Sequence, residues 1–463
     1  MPVAPAPAAD VLAAAPAPTR SWRAELRATL ALALPVAGVQ VGLMLMSVVD
    51  TMMVGHVSAA ALAAAALGTL YLHCTLSLGQ GILMALDPLV AQAVGARDRP
   101  AVAHAVQRGL VLALLLAAPV AVLLWPAAPV LRALGQPAEV VPDAVGYVRA
   151  SIPGVLPYLA FVVLRQTLQA MRHVRAIVVA IVVANVVNVG LNWVLIFGRL
   201  GVPAFGVVGS AWASTLGRWL MAALLLAGAW RTLRPALRPW RADARRLRAL
   251  APLVRLGLPI GTQQALEFGA FGAVGLLMGR LGTVSMAGHQ TALNLAALTF
   301  MVPLGVGAAA AVRVGHAVGA GDARGARRAA GAALACGVGF MVASAIVLLA
   351  VPGALARLYT TDAAVLALAA SLIPIAGVFQ VFDGLQVVSL GVLRGAGDTR
   401  VPMLVNVVGF WLLGLPLGGW LALRGGMGPQ GLWWGLVAGL AVVGLVLGAR
   451  VRWRLRAEVG RVE

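Results

Sequence analysis

Long apolar runs, broken by short segments rich in Arg, Gly and Pro, set the pattern of this chain. A helix that crosses a bilayer needs about 20 predominantly apolar residues, and more if it tilts. Twelve runs meet that length: 26–54, 59–93, 101–125, 141–171, 175–198, 206–230, 250–280, 284–319, 326–351, 363–394, 400–423 and 429–449. Several exceed the minimum, so tilt or extension beyond the bilayer is expected. The pattern predicts an all-α integral membrane protein with twelve transmembrane helices.

The polar interruptions repeat. At a shift of 224 residues Leu34-Pro35 falls on Leu258-Pro259, Gly55 on Gly279, and Gly81 on Gly305. Ala93-Val94-Gly95-Ala96 falls on Ala317-Val318-Gly319-Ala320, with Asp98 on Asp322. At a shift of 225, Leu168 meets Leu393, Arg175 meets Arg400, and Gly206 meets Gly431. A nearly constant shift across so many helices indicates duplication. Six helices per half is an even number, so both halves run the same way through the membrane. Such halves are related by an axis along the membrane normal, and substrate sites lie between them. The expected organisation is a disordered Ala/Pro-rich tail (1–23), a six-helix lobe (24–231), an Arg-rich linker (232–249), a pseudo-symmetric second six-helix lobe (250–450) and a basic tail (451–463).

Composition confirms the class and charge gives the orientation. The chain is 61% hydrophobic and 11% charged, with mean hydropathy +0.94, against roughly 25% charged in soluble domains. Its net charge of +20 would suit nucleic acid, but all 35 basic residues are Arg, spread between apolar runs and at the ends. Anionic lipid is the expected partner and nucleic acid is not. With both termini cytoplasmic, Arg97, Arg99, Arg172, Arg175, Arg324, Arg327, Arg328, Arg394, Arg400 and the linker arginines fall inside. Arg132, Arg149, Arg199, Arg280, Arg357 and Arg424 fall outside. That asymmetry follows the positive-inside rule. Cys74 and Cys336 lie in apolar runs without metal-type spacing, and no disulfide is expected.

Candidate chemistry then reduces to a few side chains. Of 15 acids, Asp50, Asp87, Glu267 and Asp383 fall inside spans, where a carboxylate is costly and suggests function. Glu25 groups with the tail and loop acids. Asp50 lies toward the outer end of span 1 and reads as a proton or Na+ site, or else as an acid snorkelling to the interface. Glu267 and Asp383 lie near mid-membrane and read as protonatable groups that attract a cation, with interhelical hydrogen bonding as the alternative. Asp87, before Pro88, reads as a local turn or helix contact. Asn185, Asn188 and Asn192 share one stripe of span 5. They either orient Asp50 or serve as interhelical glue worth about 0.6 kcal/mol each. The second-half acids have apolar or aromatic images in the first half, Leu43 and Tyr158. His289 reads more simply as a packing residue. No P-loop exists, since the chain has no Lys, and neither H-E-x-x-H nor G-x-S-x-G occurs. An enzyme is therefore not expected, and neither is a cofactor.

Several motifs, in order along residues 24–450, carry a resemblance. Asp50-Thr51-Met52-Met53-Val54-Gly55-His56 resembles the first-span signature of the MATE (multidrug and toxic compound extrusion) transporters. Asn192-Trp193-Val194-Leu195-Ile196-Phe197-Gly198, Gly206-Val207-Val208-Gly209-Ser210-Ala211, His289-Gln290-Thr291-Ala292-Leu293-Asn294 and Leu393-Arg394-Gly395-Ala396-Gly397-Asp398-Thr399 extend it. Within that family the chain resembles the NorM-type bacterial branch, which places acids in the second lobe. The resemblance implies antiport of hydrophobic or cationic compounds against Na+ or H+ by a monomer in the bacterial inner membrane. Asp50, Glu267 and Asp383 would couple, supported by Asn188 and Asn192. Na+ would sit at Glu267 and Asp383 or at Asp50. One departure is Phe379, where the family often has an aromatic hydroxyl one turn before the span-10 acid. A flippase for a lipid-linked precursor is the alternative. It would need central cations, for which Arg165 and Arg218 are the only mid-span candidates.

Overall fold

The computed structural model describes residues 21–241, 244, 246–456, 460 and 461. The expected N-terminal tail lies outside the described residues up to position 20, and helix is already established at Trp22. Twelve long helices follow in chain order. The first six are α1 (Trp22–Gly55), α2 (Ala59–Gly95), α3 (Arg99–Leu124), α4 (Val141–Ala170), α5 (Val174–Phe197) and α6 (Gly206–Gly228). The second six are α7 (Leu247–Arg280), α8 (Thr283–Gly319), α9 (Ala323–Ala350), α10 (Ala363–Gly395), α11 (Arg400–Leu423) and α12 (Gly428–Arg454). Ten of the twelve are long and apolar enough to cross a membrane by composition; α6 and α7 are the other two. Their polarity has a physical reason: Ser210, Ser214 and Thr215 of α6 and Gln263 of α7 are buried against neighbouring helices.

Local chemistry sets the helix starts. Ser21 and Ser58 accept from the backbone N–H three residues on, at 3.2 and 3.0 Å, and so cap α1 and α2. Asp98 caps α3 through Ala101 N at 2.9 Å, and its repeat mate Asp322 caps α9 through Gly325 N at 2.8 Å. The turns before these caps also match: Arg97 (φ 57°) and Gly321 (φ 71°) hold the same left-handed position. The repeat is thus conformational as well as sequential.

The two lobes meet along a seam that obeys the same two-fold relation. Helix α1 packs on α8 and α9, while its mate α7 packs on α2, and α2 packs on α8. The close approaches are reciprocal. A Cβ on Gly81 would meet the backbone of Gly261, and one on Gly305 would meet that of Ala37, the mate of Gly261. Likewise Gly95 abuts His316, and Gly319 abuts Gln92, the mate of His316. Small residues at helix crossings let backbones approach, the usual means of joining helices in lipid. These contacts lie toward the start of α1 and the ends of α2 and α8, the Arg-rich end. There Leu32, Ala33 and Val36 are buried, whereas Leu45, Val48 and Met52, further along α1, are exposed.

Two of the long helices are interrupted. Helix α2 breaks at Met84-Ala85, just before Asp87. Helix α11 is π-helical over Val407–Gly414. The linker after α6 is fixed to the first lobe by buried Gln107 of α3, whose Nε2 donates to Ala236 O and Pro239 O and whose Oε1 accepts from Arg241 N.

Candidate functional site

Each lobe buries one polar cluster around membrane-depth acid. In the first lobe Asp50 is met from two helices. Asn192 Nδ2 of α5 donates to Oδ1 at 2.5 Å, and Ser214 Oγ of α6 donates to Oδ2 at 2.5 Å. Asn192 Nδ2 also donates to Asn188 Oδ1 at 3.1 Å, and both asparagines are fully buried. Their spacing of four puts them on one helical face. Asn185 does not reach Asp50; its Nδ2 donates to Gly42 O at 3.0 Å and so ties α5 to α1. Arg218, one turn after Ser214, adds an attractive charge to the Asp50 environment and lies 5.6 Å from the Tyr158 ring. Tyr158 in turn donates to Gln80. Each charge-assisted donor is worth about 1.5–3 kcal/mol, so this arrangement holds a carboxylate by donors without an ion pair.

The second-lobe cluster is built differently. Glu267 of α7 and Asp383 of α10 lie close enough for their charges to repel. Gln386, three residues after Asp383, donates through Nε2 to Glu267 Oε1 at 3.3 Å and to Asn406 Oδ1 of α11 at 3.2 Å. Gln263, one turn before Glu267, also hydrogen-bonds to it. Gln380, one turn before Asp383, accepts from Thr299 Oγ1 at 2.7 Å. Phe379 has no hydroxyl and packs edge-on against Phe271 and Trp433, with centroids 6.1 and 5.7 Å away. His289 also packs on Trp433, at 5.7 Å.

The structure thus groups Asp50 with Asn188 and Asn192, and Glu267 with Asp383. The two groups stay in separate lobes. Ser214, Gln263, Gln386 and Asn406 were missed by sequence reasoning. Spacing was the available signal for two of them: Gln386 is one turn from Asp383, and Gln263 one turn from Glu267.

Two further acids pair with arginine. Glu25, grouped with tail and loop acids, is buried in α1 and paired with Arg313 of α8. Asp87, read as a local turn or helix contact, makes a contact between helices, with Arg394 of α10 at 3.4 Å. Both pairs cross the seam, beside hydrogen bonds from Gln92 to Gly395 O (2.9 Å) and from His316 to Ala170 O (2.7 Å). This separates the acids into two kinds. Glu25 and Asp87 have an Arg partner; among the described residues Asp50, Glu267 and Asp383 form no salt bridge. No three His, Cys, Asp or Glu side chains converge among the described residues.

Comparison with known proteins supplies the remaining context. The MatE family model matches residues 35–194 and 259–420, two copies that start at the repeat mates Pro35 and Pro259. A probable multidrug resistance protein NorM from Mesorhizobium japonicum is 39% identical over 459 residues, covering 96% of this chain and 97% of the relative. The multidrug resistance protein MdtK of Edwardsiella ictaluri is 36% identical, over 94% of this chain and 96% of the relative. Among solved structures, the eukaryotic MATE transporter AtDTX14 superposes with a TM-score of 0.86 at 24% identity, over 96% of this chain and all (100%) of its own. An outward-facing multidrug resistance MATE family transporter of the MOP superfamily superposes with a TM-score of 0.85 at 20% identity, over 95% of this chain and 99% of its own. At these identities the structures speak for the fold.

Proposed function

The chain belongs to the MatE family, and from that premise we propose that it is a secondary active antiporter that expels hydrophobic, cationic compounds in exchange for Na+ or H+ by alternating access. The observation that carries this reading is the contrast among its membrane-depth acids. Glu25 and Asp87 are neutralised by arginine and fasten the seam. Asp50, Glu267 and Asp383 form no salt bridge among the described residues. A carboxylate at that depth is costly unless an ion, proton or cationic ligand joins it. The three acids are the sites where inward-moving cation and outward-moving substrate exclude one another, and Asn188, Asn192 and Ser214 hold Asp50 in place.

The seam defines one end of the cycle. With the termini in the cytoplasm, the lobes are joined at the cytoplasmic side and part toward the outside, consistent in fold with the outward-facing relative. Breaking the seam and rejoining at the far end opens the acids to the cytoplasm. The chain works as a monomer in the bacterial plasma membrane and needs no cofactor beyond its coupling ion. A flippase for a pyrophosphate-linked lipid fits less well, because of the two mid-span arginines Arg165 donates to Gln40 and Arg218 lies beside Asp50 and over the Tyr158 ring, and carboxylates dominate the clusters.

Efflux of a fluorescent cationic dye from cells carrying Asp50→Asn, Glu267→Gln or Asp383→Asn tests this. Each variant is expected to lose most efflux at normal membrane abundance. Wild-type efflux in all three would remove the coupling role.

A further inference from the structure

The Arg-rich end of the second lobe is hollow where the same end of the first is filled. Two adjoining cavities, of about 300 and 310 Å3, flank the turn at Gly397-Asp398 between α10 and α11. Arg255 of α7 and Arg400 of α11 line one, and Arg450 and Arg454 of α12 line the other with Trp453. Asp398 is the one acid in either lining, and Arg450 Nε donates to it at 2.8 Å. The side chains of Arg255, Arg400 and Arg454 make no hydrogen bond or ion pair among the described residues. Four arginines around one carboxylate leave a positive surplus that no other part of the described chain neutralises.

The repeat shows that the fold does not require these charges. At the 224-residue shift Arg255 falls on Ala31, and at 225 Asp398, Arg450 and Arg454 fall on His173, Leu225 and Ala229. Leu225 and Ala229 are buried in one apolar core with Leu233, just beyond α6. Of the four arginines Arg400 alone keeps a basic mate, Arg175. Apolar surface adjoins the cavities. Leu258 follows Arg255 by three positions and Leu404 follows Arg400 by four, so each shares a helix face with its arginine. The two leucines are 45% and 57% exposed. Trp453 is also exposed, and its ring lies 4.3 Å from the Arg450 guanidinium carbon; rings of this kind sit at headgroup level. A soluble anion would use the charges alone, whereas a lipid uses the charges and the leucines one turn deeper.

We propose that this corner binds an anionic phospholipid whose headgroup carries two phosphodiesters joined by glycerol, a cardiolipin-type lipid, with one phosphate in each cavity. The planar guanidinium fork matches phosphate oxygens, and basic pockets between spanning helices on the cytoplasmic side suit such headgroups. A single phosphate would leave one pair of arginines without a counter-charge. The bound lipid ties the ends of α7, α11 and α12 together. It is not a transported species, so the site goes beyond the antiport reading and is tested apart from it.

The test is native mass spectrometry of the purified full-length protein titrated with tetraoleoyl cardiolipin, dioleoyl phosphatidylglycerol or dioleoyl phosphatidylcholine. Thermal unfolding in detergent is the second readout, with inorganic pyrophosphate as a soluble two-phosphate probe. Wild type should retain one cardiolipin in preference to phosphatidylglycerol, and phosphatidylcholine least, and cardiolipin should raise the unfolding temperature. An arginine at an anionic lipid surface contributes a factor of about five. Arg400→Ala combined with Arg454→Ala should therefore weaken cardiolipin binding about twentyfold, with an unchanged unfolding temperature when no lipid is added. Arg452→Ala combined with Arg456→Ala removes the same charge from exposed positions outside both cavities and should bind cardiolipin as wild type does. Equal losses in the two double variants would mean diffuse attraction and overturn the site. Phosphatidylglycerol bound as tightly as cardiolipin would overturn the two-phosphate headgroup. Stabilisation by pyrophosphate equal to that by cardiolipin would make the ligand a soluble anion and overturn the lipid.

Discussion

Replacing Gly305 by Ala should shift the balance between the two ends of the transport cycle. The new Cβ would stand 2.6 Å from Ala37 N and 2.7 Å from its Cα and Cβ. Ordinary carbon contacts sit near 3.5–4.0 Å, so the lobes must part by about 1 Å there to fit one methyl group. Overpacking of this kind costs about 1–3 kcal/mol. Because Gly305 and Ala37 belong to different lobes, opening the seam relieves the whole cost. The seam-closed population should therefore fall by a factor of about 5–150 relative to the seam-open one. Spin labels at Pro100 and Arg324, in a background without Cys74 and Cys336, would report the separation of the Arg-rich ends by pulsed electron resonance. Gly305→Ala should move the distance distribution to longer values. Gly81→Ala, whose Cβ would meet the backbone of Gly261, should do the same. Gly272→Ala, with nothing within 4 Å of the added Cβ, should leave it unchanged. Identical distributions for Gly305→Ala and Gly272→Ala would refute the seam as a control point.

Two other outcomes follow from the charged contacts. Arg313→Gln removes one of the arginines that act on buried Glu25 and should cost about 1–3 kcal/mol of stability; the double variant with Glu25→Gln should recover part of it in thermal unfolding, and equal losses in both would contradict a buried pair. Asp98 lies outside the spans, and the backbone N–H of Ala101 first, then Arg461, hold its carboxyl below its ordinary value of 3.8. A depressed folded value means that the cap stabilises above that ordinary value and weakens as pH falls through the folded one. Hydrogen exchange at the start of α3 should therefore accelerate only below about pH 4, and Asp98→Ala should show the fast rate already at neutral pH, at a cost of about 1 kcal/mol.

The spans and the repeat were legible because apolar length and recurring Gly and Pro are local signals. The 224-residue shift even anticipates three-dimensional contacts, since Gly81–Gly261 and Gly305–Ala37 are the same crossing seen twice. Asp50, Glu267 and Asp383 stand out because charge is rare in lipid. Asn188 and Asn192 are found by helical periodicity once Asp50 is suspected. What sequence does not reveal is pairing across the lobes. Glu25 looks like a tail acid, and Arg313, its partner 288 positions away, looks like one more positive charge. Ser214, Gln386 and Asn406 are neutral side chains in apolar helices, indistinguishable in isolation from ordinary interhelical hydrogen bonding. Their meaning depends on which helices the fold sets side by side.

In the proposed cycle an ion gradient acting on Asp50, Glu267 and Asp383 drives export. Its most direct measurement is dye movement in vesicles of purified protein under a Na+ gradient or a pH gradient imposed separately. Wild type should move dye against its own gradient only while an ion gradient persists, and Asp50→Asn, Glu267→Gln and Asp383→Asn should not. Dye accumulation that survives collapse of both gradients, or that is unchanged in all three variants, would contradict it.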